Sequence, residues 1–107
     1  MNRRRSVTAE RLYRRDARLE VRAAGTREGS PRRVNSADLA WADLVYAMER
    51  RQKRWLQEEF RDINLPPIEV LDVPDDYEAM DPALQQLLKT LLDPEIEERL
   101  ARPPGGA

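Results

Sequence analysis

Residues 44–60 read LVYAMERRQKRWLQEEF, and this stretch decides the fold. Leu44–Met48 is a compact apolar run of the buried-strand type. The charged run behind it has helical spacing: Met48, Trp55, Leu56 and Phe60 fall near one face, and charge covers the other. Asn64-Leu65-Pro66-Pro67 stops that helix, and Ile68–Asp72 reads as a second short strand. Strand, helix and strand in that order make a parallel crossover unit.

The same alternation extends in both directions. Upstream, Asn35 or Ser36 caps a short helix reaching Asp43. A loop with Gly29 and Pro31 as breakers precedes it. Before that loop, Leu19, Val21 and Ala23 alternate with Glu20 and Arg22, which predicts a strand over 19–25 ending at Gly25. Ser6 is placed to cap a helix over 7–16, with Ala9, Leu12 and Tyr13 at i, i+3, i+4 spacing. Downstream, residues 73–82 form an acidic loop. Asp81 then caps a helix that has Pro82 at its first position. Its apolar stripe is Leu84, Leu87, Leu88 and Leu91. Asp93-Pro94 restarts it, and Ile96 and Leu100 extend the stripe.

The predicted order is α-β-α-β-α-β-α, an α/β fold with an open parallel sheet and helices on both faces. One domain over residues 1–101 and a tail over 102–107 account for the whole chain. Such units normally begin with a strand; here the first element is a helix.

Bulk chemistry narrows the function classes. The chain has 107 residues, 40% hydrophobic and 36% charged, with a net charge of −1. That is a globular profile rather than a disordered one. It contains no cysteine and no histidine, which excludes disulfides, thiolate metal sites and thiol catalysis by these residues. Acid–base chemistry near neutral pH therefore falls to Asp or Glu. No cofactor and no metal is expected. No apolar run is long enough to span a bilayer, and the basic start does not lead into an apolar segment. A bacterial-type cytoplasmic protein is the default expectation.

Charge is unevenly placed. Residues 1–35 carry eleven Arg and four acids, a net of +7, while residues 36–107 carry a net of −8. A basic front half suggests an anionic ligand or partner, and a solvated helix face is the plainer account. The run lacks interleaved aromatics and any groove-reading motif, so neither nucleic acid nor membrane is the expected partner.

At this point the residues resemble a family. Residues 2–10 read NRRRSVTAE, residues 23–26 AAGT, residues 42–52 ADLVYAMERRQ, and residues 72–82 DVPDDYEAMDP. These four pieces, in this order and on these elements, resemble the low-molecular-weight protein tyrosine phosphatases, in particular their short bacterial branch. The family carries C-x-x-N-x-x-R-S between its first strand and first helix, and Asn2, Arg5 and Ser6 fall on its Asn, Arg and Ser. The resemblance covers about residues 2–92 and implies a three-layer, flavodoxin-like sheet. It also implies hydrolysis of phosphotyrosine or aryl phosphate monoesters through a phosphocysteine. On that alignment the nucleophilic Cys falls just upstream of Met1, with one residue between. The family's first strand, central in its sheet, falls upstream too. The expectation is a reading frame started inside the phosphate loop, and a chain inactive as it stands. The alternative is a catalytically dead phosphate- or phosphotyrosine-binding remnant.

The resemblance also assigns roles. Arg5, at the mouth of the first helix, becomes the bidentate clamp on phosphate oxygens, a task that its rigid charged fork suits. Arg3 and Arg4 occupy variable positions of the same loop, and Asn2 braces it. Ser6 donates to the thiolate in the family, or simply caps the helix. Asp75 matches the first residue of the family's Asp-x-Tyr and is the general-acid candidate, with Asp76 as the alternative. Adjacent carboxylates beside a dianionic phosphate raise each other's pKa, which suits proton donation. Tyr77 forms a wall of the aryl pocket or packs on the sheet edge. Trp41 and Trp55 are read as core residues.

Overall fold

The computed structural model describes residues 4–26 and 32–101, apart from the side chains of Arg4 and Ser6. Within them lie four helices and two strands in the order α1 (Arg4–Tyr13), α2 (Ser36–Trp41), β1 (Val45–Ala47), α3 (Arg50–Glu59), β2 (Ile68–Val70) and α4 (Pro82–Ala101). The fold is mixed α/β. β1 and β2 pair in parallel, with Val45 opposite Ile68, Tyr46 opposite Glu69 and Ala47 opposite Val70. α3 is the crossover between them.

Alternation along the short strands sorts the core into two clusters. Val45, Ala47 and Ile68 pack with Leu39 of α2 and with Leu56 and Trp55 of α3. Tyr46 packs in the other cluster, with Met48 and Val73, with Leu84, Leu88 and Leu92 of α4, and with Ala9, Leu12 and Tyr13 of α1. Leu84 and Leu88 are fully buried. Each cluster is continuous from a strand into two helices.

The helix ends follow the expected cap chemistry in two cases. Asn35 accepts the Asp38 backbone N–H at 2.9 Å while Asp38 accepts the Asn35 N–H at 3.1 Å, a reciprocal capping box that starts α2. Asp81 accepts the Ala83 N–H at 2.8 Å, so α4 starts at Pro82. In two others the expectation needs correcting. α1 begins at Arg4, not residue 7, so Ser6 lies inside the first turn and is not the cap. Arginine is a good helix former, and Arg5 is anchored by tertiary contacts. Asp93-Pro94 does not restart the last helix, because α4 runs through Pro94 without a break. An interior proline costs a helix about 3 kcal/mol. Burial of Leu84, Leu88 and Leu92 before it, and packing of half-buried Ile96 after it against the same cluster, hold the helix across the proline.

The larger correction concerns residues 19–25. They do not form a strand; the nearest feature is a single parallel bridge between Gly25 and Arg33. The predicted alternation is nevertheless present in the burial, with Leu19, Val21 and Ala23 turned inward and Glu20 and Arg22 exposed. What is missing is a neighbour, because a strand exists only by pairing its backbone groups with another. The segment is fixed instead by side chains. Glu10 accepts the Ala23 N–H at 3.3 Å, and Arg22 lies over the Trp41 ring at 3.9 Å and reaches Asp38 at 3.3 Å.

Residues 19–24 and β1 line one cavity of about 630 Å3, together with parts of α1, α2 and α4.

Candidate functional site

Arg5 stands at the start of α1 and is 7% exposed. Its Nη1 donates to the Val73 carbonyl at 2.6 Å. Its Nη2 meets the Glu49 carboxylate at 2.7 Å, and its Nε lies 3.6 Å from Asp75. Glu49 follows β1 and Val73 follows β2, so the guanidinium spans the carboxyl ends of both strands. In parallel α/β sheets that end is where ligands bind. α1 starts beside this place, and the positive end of a helix dipole favours an anion.

The carboxylates facing Arg5 are themselves ordered. Arg51 holds the other side of Glu49, with its Nε 2.8 Å away. Hydrogen bonds from Arg51, then from Arg5, lower the Glu49 carboxyl from its ordinary range to about 2. Gln52 accepts the N–H groups of Met48 and Glu49 at 2.8 and 3.0 Å, which fixes the turn from β1 into α3. Arg5, Arg51, Glu49 and Asp75 together are neutral, so no uncompensated charge is buried.

The loop carrying Asp75 is bracketed by two residues in the left-handed region, Asp72 with φ 56° and Met80 with φ 62°. Neither is glycine, so this backbone must be held from outside. Thr8 of α1, fully buried, accepts the Met80 N–H at 2.9 Å. Gln85 of α4 donates to the Met80 carbonyl at 2.7 Å. The loop is thereby returned toward the start of α1, which is why Asp75 lies beside Arg5.

Of the sequence-predicted residues, the structure brings Arg5 and Asp75 together, and Asp76 is exposed on the same loop. Tyr77 is half-buried and packs against the cluster that contains Met48 and Val73. Asn2 and Arg3 lie outside the described residues, as do the side chains of Arg4 and Ser6. Trp55 is core, edge-to-face with Phe60 at 5.8 Å, whereas Trp41 is 37% exposed under Arg22. Glu49, which directly follows the Leu44–Met48 run, is a partner of Arg5 that the sequence reading does not single out.

Several arginines of the basic front half are paired. Arg32 and Arg22 bond Asp38, and Arg18 bonds Asp16 and Glu97. Burial opposes ionisation of Asp38, but the hydrogen bonds from Arg32 and the Asn35 backbone prevail and lower its pKa. Among the described residues no group of three or more carboxylates is gathered closely enough to hold a metal ion. No helix there is long and apolar enough to cross a membrane.

Chemically, the site is an arginine fork whose Nε and Nη2 donors face carboxylates. These two donors form one edge of the guanidinium, the edge that two phosphate oxygens can take together. A phosphate entering there must displace the Glu49 and Asp75 carboxylates from the fork. Comparisons with protein-family models, with curated proteins and with solved structures find no match for this chain.

Proposed function

We propose that this chain is a phosphatase-type phosphate-ester domain of three-layer, flavodoxin-like α/β form, in which Arg5 is the phosphate clamp and Asp75 the acid. The observation that carries the reading is the placement of Arg5. A buried guanidinium sits at the start of α1, across the carboxyl ends of two parallel strands, with one edge turned toward Asp75. Helices packed with both core clusters support the layered form.

The chemistry divides cleanly. In this reading Arg5 holds phosphate oxygens and Asp75 stands next to the leaving aryloxide, which must be protonated as its bond to phosphorus breaks. They supply no thiol nucleophile, since the chain has no cysteine. Hydrolysis through a phosphocysteine, which the resemblance implies for the family, needs a thiol that these residues do not carry. Binding without turnover is the activity proposed for this chain, and a phosphorylated protein or aryl phosphate is the ligand class. A nucleic-acid role is disfavoured, because the paired arginines of the front half are not presented as a free basic stripe.

Calorimetric titration with inorganic phosphate and with phenyl phosphate tests the reading. Both should bind, and Arg5→Lys, which keeps the charge but loses the fork, should weaken each by about tenfold or more. Equal binding by wild type and Arg5→Lys, or no binding at all, would overturn it. No phenol should be released by the chain as it stands.

A further inference from the structure

We propose that the cationic face at the start of α3, formed by Arg50, Lys53 and Arg54, is a specificity surface that seats acidic side chains on one flank of a phosphorylated peptide residue. The inference rests on the phosphate reading of the Arg5 site and names the ligand which that site selects.

The first observation is where these charges stand. Glu49, the cap residue of α3, meets Arg5 at 2.7 Å, so α3 starts at the mouth of the candidate site. Arg51 holds the other side of Glu49 at 2.8 Å. A hydrogen bond to Glu49, and behind it the charges of Glu49 and Asp75, keep the Arg51 guanidinium above its ordinary pKa. Arg51 is thus already engaged. Arg50 directly follows Glu49, and Lys53 and Arg54 come one turn later, ~5 Å along the helix axis.

The second observation is that these cations are badly placed for the helix that carries them. Residues 50–54 hold four Lys or Arg and no acid. A helix start carries the positive end of the dipole, where acids stabilise and cations do not. α3 has no acidic residue in its first turn. Arg50 and Arg54 are both exposed, four residues apart, on the face opposite Trp55 and Leu56, so they repel each other. Among the described residues Arg50, Lys53 and Arg54 have no carboxylate partner. An anionic ligand accounts for a charge pattern that opposes its own helix at the mouth of a site.

The third observation selects the kind of ligand. Residues 72–81 carry five acids, and Asp75 among them lies 3.6 Å from the Arg5 Nε. The mouth is therefore cationic on the α3 side and anionic on the loop side. An acidic segment is drawn to one wall and repelled by the other, so its carboxylates lie on one flank of the phosphorylated residue. A nucleic-acid strand, charged at every phosphate, would run past a patch about one turn long and onto the acidic wall. Nor does Trp55, the aromatic residue within this stretch, offer a stacking platform, since it packs in the core against Phe60.

Fluorescence anisotropy with labelled phosphotyrosine peptides tests this on the 107-residue chain. One peptide is neutral, one has three aspartates before the phosphotyrosine, and one has three after it. One of the two acidic peptides should bind at least about fivefold tighter than the neutral one at low salt, and added salt should erode the gain. The triple variant Arg50→Gln, Lys53→Gln, Arg54→Gln should lose the gain and still bind inorganic phosphate as the wild type does. The proposal is overturned if neither acidic peptide outbinds the neutral one, if both gain equally, or if the preference survives in the triple variant. Loss of inorganic phosphate binding in that variant also overturns it, since the cations then serve the phosphate itself. So does a single-stranded oligonucleotide that binds more tightly than the acidic peptide. Inorganic phosphate separates the two readings: phosphate bound by the wild type without a flank preference removes the specificity surface alone, whereas no phosphate bound removes the site and this surface with it.

Discussion

The Arg5 guanidinium and the Glu49 carboxylate meet at 2.7 Å, joining the start of α1 to the end of β1. This pair both holds the fold and occupies the proposed phosphate donors, so stability and binding should respond to it in opposite directions. Glu49→Gln removes the competing charge from the fork. Phosphate should bind about three- to tenfold tighter, while the fold loses about 1–2 kcal/mol because a buried arginine keeps only part of its compensation. Calorimetry and urea denaturation on the same variant read both effects. A variant that loses stability and also binds phosphate more weakly would show that Glu49 is part of the binding surface rather than a competitor.

Acid should weaken the wild-type protein through the same residue. The folded-state pKa of Glu49 is depressed to about 2 from an ordinary 4.5. A depressed carboxyl contributes stability that is fully present above the ordinary value and is lost as pH falls through the folded one. The stability difference between wild type and Glu49→Gln should therefore be constant at neutral pH and shrink between about pH 4.5 and 2. Urea midpoints across that range measure it.

Thr8 and Met80 are the hinge of the acid loop. Thr8→Val keeps the shape of a fully buried side chain and leaves the Met80 N–H without its oxygen. The expected loss is about 1–3 kcal/mol, from an unsatisfied buried donor. Proteolysis should be enhanced within residues 73–80 and nowhere else, because the left-handed Met80 is no longer pinned from α1.

Leu88 reports on α4. It is fully buried in the cluster shared by α1, α4 and Tyr46. Leu88→Ala should cost about 2–5 kcal/mol, the ordinary range for a buried leucine. In a domain already holding a large cavity, that loss should be near the upper end and visible as a lowered Tm. Leu87→Ala, at a half-buried position one residue away, should cost about half as much.

Tyrosine titration checks the links between layers. Burial, then Asp93, raises the Tyr13 phenol well above its ordinary 10, and burial, then Glu95, pushes Tyr46 up to about 12. Raised phenols stabilise the fold below pH 10, and that contribution is lost as pH rises through the folded values. Absorbance at alkaline pH should show two late-ionising phenols, and Tyr13→Phe should remove the later one.

Periodicity made the β1–α3–β2 unit legible, because strand and helix there each have one apolar face and clear punctuation. The caps Asn35 and Asp81 were equally readable, since their partners are two or three residues away. Residues 19–25 misled because alternation encodes a half-buried face and says nothing about a partner strand. Pro94 misled for the converse reason: a local breaker was overruled by the packing of Leu84, Leu88 and Leu92 before it and of Ile96 after it. Glu49 was invisible because ion pairing to Arg5 is long-range, and one acid among twenty carries no mark of it.

By itself, then, the sequence determined the alternating elements, the faces that they bury, and the absence of thiol and imidazole chemistry from these residues. Those are properties of neighbouring side chains, which act through local backbone preference and apolar spacing. Only the tertiary structure decided that Arg5 spans the ends of two strands beside Asp75, that Glu49 stands in its fork, and that β1 lies along a cavity. Each of these depends on which segments lie side by side, a choice made by burial and backbone pairing across the whole chain.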